Sequence, residues 1–293
     1  WIDSDSRKAI KILTRNVKKY PFVIITTCRF NETGKEFQLG LTELRQKRIP
    51  LSKLPENNIQ KLISNLLNNE IPADSLKFIK NMSEGNPFYI EQITLYLHEN
   101  NLFDRNFNIK KKSFSIPGDI NAIIISRIDR LTKELQDVIK TASVLGQQFA
   151  VNVLTEMMSN YNISGYLYKG KKEKIWKPLS ELNYLFRHAL IRDAVYQMQL
   201  KQRLRELHKL AAETIERLYR NDLEKQYYQL ANHYEKAEIT KKAIEYLEKA
   251  GNSAKNNYQN EQALNFYNKL LNIIGKNKDH KVMEVETLIK KGQ

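Results

Sequence analysis

Apolar positions in the first part of the chain change spacing at a proline. Over 6–20, Ile10, Leu13, Val17 and Tyr20 fall three or four residues apart, which places them on one face of a helix. Directly after Pro21 comes Phe-Val-Ile-Ile-Thr-Thr at 22–27. An apolar run without alternation fits a parallel strand covered on both faces, so this stretch predicts the last helix–strand unit of an α/β sheet. The chain begins at Trp1 with no initiator Met and no leader. Its opening residues read as the inside of a domain, which implies further chain before it.

From 39 to 108 the pattern turns helical. Ile59, Leu62, Ile63, Leu66 and Leu67 form one stripe, and a second helix is expected to start at Asn86-Pro87. Asn is a good N-cap, and Pro suits the first helical position because its missing N–H has no partner there anyway. Between 116 and 199 the spacing predicts helices at 119–131 and 133–145, the second stopped by Gly146, and a short helix near 151–158. A hairpin is expected over 166–176, with Gly170 and Lys171 at its tip. Three helices and a hairpin suggest a winged-helix module.

Beyond 202 every segment reads as helix. The tetratricopeptide template asks for small or apolar residues at set positions, and Tyr227, Leu230, Ala231, Tyr234, Ala243, Leu247 and Ala250 satisfy it. So do Leu247, Ala250, Gly251, Ala254, Ala263, Tyr267 and Leu270. The two phases overlap and cannot both be true repeats. What they share is an antiparallel helical array whose small residues allow close approach, as in a solenoid; a plain helical bundle is the alternative.

Composition narrows the setting. The 293 residues allow roughly two or three domains, and 41% hydrophobic with 28% charged residues is ordinary for a soluble protein. One cysteine, Cys28, cannot pair within the chain, and five histidines give no zinc-finger or HExxH spacing. A reducing, cytoplasmic compartment without a structural metal is therefore expected. No apolar segment approaches the ~20 residues of a membrane helix. The net charge of +15 would attract nucleic acid, acidic membranes or acidic proteins. Most lysines nevertheless stand singly among Asn, Glu and Gln, and the dense runs at 110–112 and 169–174 read as solvated loops.

Four strings in order resemble the ATPase region of soluble-type class III adenylyl cyclases and related bacterial kinases and regulators, members of the STAND class. They are WIDSDSRKAIKIL (1–13), FVIITTCRFN (22–31), SEGNPFYIEQI (83–93) and FRHALIRDAVY (186–196). The resemblance continues through IPGDINAIIISRIDRL (116–131) and TASVLGQQF (141–149). In that family a Walker B strand runs into Trp, Asp and Ser, which Trp1, Asp3 and Ser6 resemble. The fold implied is mainly α: the end of an α/β P-loop NTPase core over 1–40, a helical lid over 41–115, a winged-helix-like domain over 116–200 and a TPR-like α-solenoid over 201–293.

The resemblance also implies three nucleotide-binding residues. Arg29 follows the expected strand, where α/β sheets place ligand-reading side chains; it resembles the sensor whose cation meets the terminal phosphate, and reads otherwise as a surface Arg. Gly85-Asn86-Pro87 resembles the GxP motif, whose proline packs on adenine; the same tripeptide is also an ordinary helix start. His188 resembles the winged-helix histidine that reaches the β-phosphate of ADP, or else is a core residue among Phe186, Leu190 and Tyr196. His208 follows the family pattern but reads as structural.

No GxxxxGK[ST] occurs, since the Gly-Lys pairs at Gly34, Gly170 and Gly275 lack the flanking residues that cradle phosphate and hold Mg²⁺. The chain alone is thus expected neither to bind nucleotide nor to hydrolyse ATP, with no catalytic residue and no metal ligand of its own. ATP or ADP with Mg²⁺ would belong to a longer parent, a multidomain signalling protein such as an adenylate or guanylate cyclase. Expected partners are other domains of the same polypeptide and a protein bound by the repeats, without a membrane. The alternative is a scaffold with a degenerate ATPase remnant. A DNA-binding regulator would need a basic recognition helix, and 133–140 carries Glu134 and Asp137 among its lysines, so nucleic acid is not expected.

Overall fold

A computed structural model describes residues 4–14, 23–27, 47–110 and 118–275. The fold is mainly α-helical, with thirteen α-helices and one three-stranded sheet among the described residues. None of those helices is long and apolar enough to cross a membrane. The first, α1 (Ser4–Thr14), has the expected helical form, yet Ile12 and Leu13 are exposed. Residues 23–27 make no strand, and Val23 and Ile25 are 84% and 86% exposed. A strand needs a ladder partner, and no described residue supplies one to this run. The expected helix–strand unit is therefore not assembled among the described residues.

Three helices form the next unit: α2 (Glu56–Leu67), α3 (Ala73–Ser83) and α4 (Pro87–Glu99). The stripe read from sequence turns inward through Ile59, Ile63 and Leu67, which meet Leu76 and Ile79 of α3 and Ile90, Ile93 and Leu97 of α4. Ser75 closes this unit from below, its Oγ donating to the Phe107 carbonyl at 2.9 Å and accepting from the Ile109 amide at 3.2 Å.

The following unit contains α5 (Ile120–Asp129), α6 (Lys133–Leu145), β1 (Gln148–Ala150), α7 (Val151–Met157), α8 (Ile163–Lys172), β2 (Trp176–Pro178), β3 (Asn183–Phe186) and α9 (Ala189–Gln197). Asp119 and Thr132 cap α5 and α6, accepting from the Asn121 and Leu135 amides, as polar caps do. The sheet order is β1-β3-β2, antiparallel throughout. Phe149, Trp176 and Phe186 fill its inner face, with ring centroids 5.6–5.8 Å apart.

The hairpin lies elsewhere than the sequence suggests. Residues 163–172 are helix, and the hairpin is β2–β3 with its tip at 179–182. Gly170 serves packing, not turning: the Trp176 indole covers it so closely that a Cβ would lie 2.5 Å from Cε2. The indole Nε1 donates to the Leu167 carbonyl at 2.9 Å, which holds the ring there. Ile163, Leu167 and Gly170 are the buried stripe of α8, so the lysine run read as a loop is largely helical.

Four helices complete the described chain: α10 (Lys201–Leu218), α11 (Tyr227–Lys236), α12 (Thr240–Asn256) and α13 (Asn260–Ile274). Helix α12 packs against α11 on one side and α13 on the other. Ala243, Leu247 and Ala250 are buried, as are Gly251, Ala254 and, from α13, Ala263 and Tyr267, so both overlapping template phases fall on buried positions apart from Tyr227, which is half-buried. Gly251 receives Tyr267, whose Cε1 would lie 2.5 Å from an added Cβ. One hydrophobic core runs from Ile124 of α5 to Ile274 of α13, joining the sheet unit to the helical array.

Candidate functional site

The sequence-derived residues sit where α4 meets α9. Ser83 ends α3, and Glu84 and Gly85 both take left-handed backbone angles, φ +49° and +76°. Gly is the residue that adopts this without strain. Space demands it too, because a Cβ would stand 3.0 Å from Lys53 Cβ. The Leu54 amide donates to the Gly85 carbonyl at 3.0 Å, so the extended segment before α2 is stitched to this turn. Asn86 then caps α4, its Oδ1 accepting from the Phe88 amide at 3.0 Å, and Pro87 occupies the first turn, exposed.

His188 is the N-cap of α9. Its Nδ1 accepts from the Leu190 amide at 3.2 Å. In the neutral ring this puts the proton on Nε2 and makes that edge a donor. The ring is half-buried, while Phe186 packs in the sheet core and Tyr196 pairs with His208. Phe88, the residue after Pro87, stacks on the His188 ring with ring centroids 3.8 Å apart and planes inclined by 12°. The two motifs singled out in the sequence thus meet through Phe88. Arg29, the third expected residue, lies outside the described residues.

A buried arginine braces the same junction. Arg127 of α5 is 5% exposed. Its Nε donates to both Glu99 oxygens at 3.1 and 3.0 Å, Nη2 to Glu99 Oε1 at 2.8 Å, and Nη1 to Gln92 Oε1 at 2.5 Å. Nη2 also reaches the Glu173 carbonyl after α8 at 3.4 Å. The planar fork suits this sharing among α4 and α8. Beside it Lys174 pairs with Glu91 at 3.7 Å. Sequence reasoning missed Arg127; the available signal was a lone cation inside the apolar run Ile123 to Ile128.

One polar cluster joins the sheet unit to the helical array, and a second ties the helices of the array together. His208 of α10 bonds Tyr196 Oη through Nε2 at 2.8 Å and His233 of α11 through Nδ1 at 2.9 Å. Burial, then His233 and the cations Lys236 and Arg192, pulls His208 down to about 3, and burial with Lys236 pulls His233 down to about 4. Both are neutral in the folded chain at neutral pH, and His208 is structural in that sense. About two turns further along α10, Glu216 accepts from Tyr234 at 2.7 Å, from Lys242 at 3.1 Å and from Tyr246. Burial pushes this carboxyl up, but the three donors outweigh it and hold it below the usual carboxylate value.

The junction presents an exposed proline ring on α4 and, in the neutral tautomer, a histidine Nε2–H at the start of α9. They offer nothing to Mg²⁺. Among the described residues no three His, Cys, Asp or Glu side chains converge to hold a metal ion.

No protein-family profile matches the chain. An uncharacterized protein of Rhizobium meliloti (strain 1021) is 24% identical over 225 residues, covering 71% of this chain and 21% of the relative. The chain thus spans about a fifth of the length of that relative.

Proposed function

We propose that this chain is the regulatory nucleotide-binding and protein-interaction segment of a cytoplasmic STAND-class signalling ATPase, of the kind joined to adenylate or guanylate cyclases. In this reading α2–α4 are the lid, the unit from α5 to α9 is winged-helix-like, and α10–α13 are TPR-like repeats. The order α6-β1-α7-α8-β2-β3 with strands β1-β3-β2 supports the second assignment. The double use of α12 supports the third.

One observation carries the nucleotide reading: Phe88, attached to the Gly85–Pro87 turn, stacks on His188. A lid residue and a winged-helix residue thereby meet beside two groups of the type that hold ADP. Pro87 would pack on adenine and His188 would donate from Nε2 to the β-phosphate, while Arg29 would face the terminal phosphate. A bound nucleotide supplies the charge whose size differs between ADP and ATP; the chain's own residues hold lid and winged helix together around it. With no phosphate loop, the 293 residues alone would not turn over ATP.

The test is nucleotide affinity in the full-length parent protein. His188→Ala should weaken ADP more than ATP, by roughly the 1.5–3 kcal/mol of a hydrogen bond to a charged group, and raise basal output. Pro87→Ala should weaken both alike. Equal losses at His188, or none, would remove the nucleotide reading. A scaffold with a degenerate remnant is the second reading, favoured by the continuous core from Ile124 to Ile274; a parent that binds no nucleotide would establish it.

A further inference from the structure

The helix that precedes the β2–β3 hairpin is α8, not the acidic stretch 133–140, and this reopens the question of nucleic acid. Helices α7 and α8 are joined by the turn 158–162, and α8 is set rigidly by Ile163, Leu167 and Gly170 against the sheet core. Its opposite face carries Ser164, Tyr168, Lys171 and Lys172, with Lys169 beside them, all exposed. The second helix of such a pair is the element that enters a DNA major groove in helix-turn-helix proteins.

We propose that the outer face of α8 is a binding surface for double-stranded DNA. The positive charge here is not neutralised. Among the described residues, Lys169, Lys171 and Lys172 have no carboxylate within 4.0 Å, whereas Lys209, Lys242 and Lys249 pair with Glu213, Glu216 and Glu245. Lys169 and Lys172 instead lie over the rings of Tyr166 and Tyr168, at 5.1 and 4.9 Å. Of the nearby acids, Glu173 caps the end of α8 half-buried and forms no ion pair with these lysines within 4.0 Å, Asp137 and Glu134 of α6 face Tyr161 in the turn before α8, and Glu91 engages Lys174. A basic face with a 57% exposed tyrosine suits phosphates and base edges. A membrane surface would call for aliphatic residues on this face, and it has none. The proposal is independent of nucleotide binding.

The experiment uses the 293-residue chain and a fluorescein-labelled 20-base-pair duplex, read by anisotropy between 50 and 200 mM NaCl. The variant Lys169→Gln/Lys171→Gln/Lys172→Gln should lose affinity about ten-fold or more and flatten the slope of log K against log salt by about 2.7, since each phosphate contact contributes about 0.9. A charge-matched control, Lys61→Gln/Lys77→Gln/Lys201→Gln, removes exposed lysines from α2, α3 and α10 and should keep both affinity and slope. Tyr168→Ala should weaken binding without altering the slope. Thermal midpoints of all variants should match the parent, because every substituted side chain is exposed. Equal losses in the two triple variants, no binding of the duplex, or displacement of the duplex by phosphatidylserine vesicles would overturn the proposal.

Discussion

Phe88 and His188 lie face to face, 3.8 Å between centroids and 12° between planes, although one opens α4 and the other caps α9. The contact fixes the imidazole by its face, while the Leu190 amide fixes it by Nδ1. Two constraints from different elements leave the ring one orientation. The junction of the helical unit and the sheet unit is therefore built around this histidine and the Arg127 fork.

Replacing Phe88 by Leu keeps an apolar side chain but removes the stack, which should cost about 0.5–1.5 kcal/mol. The specific readout is NMR: the His188 Hε1 resonance, shifted upfield by the aromatic face, should move downfield in Phe88→Leu. An unmoved resonance would mean that the rings do not stack in solution.

Arg127→Met should destabilise the chain by on the order of 3 kcal/mol, since Gln92 is buried and Glu99 is only 23% exposed, and both lose their donor. Arg127→Lys should recover only part of this, because an ammonium cannot serve both Glu99 oxygens and Gln92 at once. Urea unfolding measures both. Equal stability of the Lys variant and the parent would show that charge alone matters at this site.

Two glycines of α8 give opposite outcomes for one substitution. Gly165→Ala meets only Asn162 side-chain atoms, at 3.5 Å or more, so helix propensity should stabilise by up to about 1 kcal/mol. Gly170→Ala runs into the buried Trp176 indole, and Gly251→Ala into Tyr267; each should cost about 1–3 kcal/mol. A stabilising Gly170→Ala would return residue 170 to the turn that its sequence context suggested.

That context shows why parts of the fold were legible and others not. Asn86-Pro87 and Gly146 announce helix ends by local chemistry, and they lie where the pattern put them. Gly170-Lys171 carries the composition of a turn, but its conformation is decided by Trp176, a contact that no local window contains. Helix α3 escaped notice because its buried side includes Ser75 and Ser83 beside Leu76 and Ile79. At the proposed site, Pro87 and His188 were singled out from motifs, whereas Phe88 and Arg127 act through partners distant in the chain. A single cation amid isoleucines was the one visible trace of the junction.

The His208–His233 pair should make stability depend on pH in a definite window. Both folded values lie below the ordinary 6.5, at about 3 and about 4, so the folded state resists protons that the unfolded chain accepts. Stability from this source is complete above pH 6.5 and is lost as pH falls toward 4. Each histidine adds a slope of up to about 1.4 kcal/mol per pH unit. The groups facing the pair strengthen the effect: Lys236 and Arg192 are cations, 5.4 and 4.8 Å from the Tyr196 ring, and Tyr196 Oη can only exchange donor for acceptor roles with His208. Glu216 and Glu56, held below the usual carboxylate value, act in the same direction but only below about pH 4.5, so the interval from 6 to 5 isolates the imidazoles. Urea midpoints over that interval should fall steeply for the parent and much less for His208→Gln/His233→Gln. Parallel curves would mean that the pair accepts a proton without leaving its place between α10 and α11.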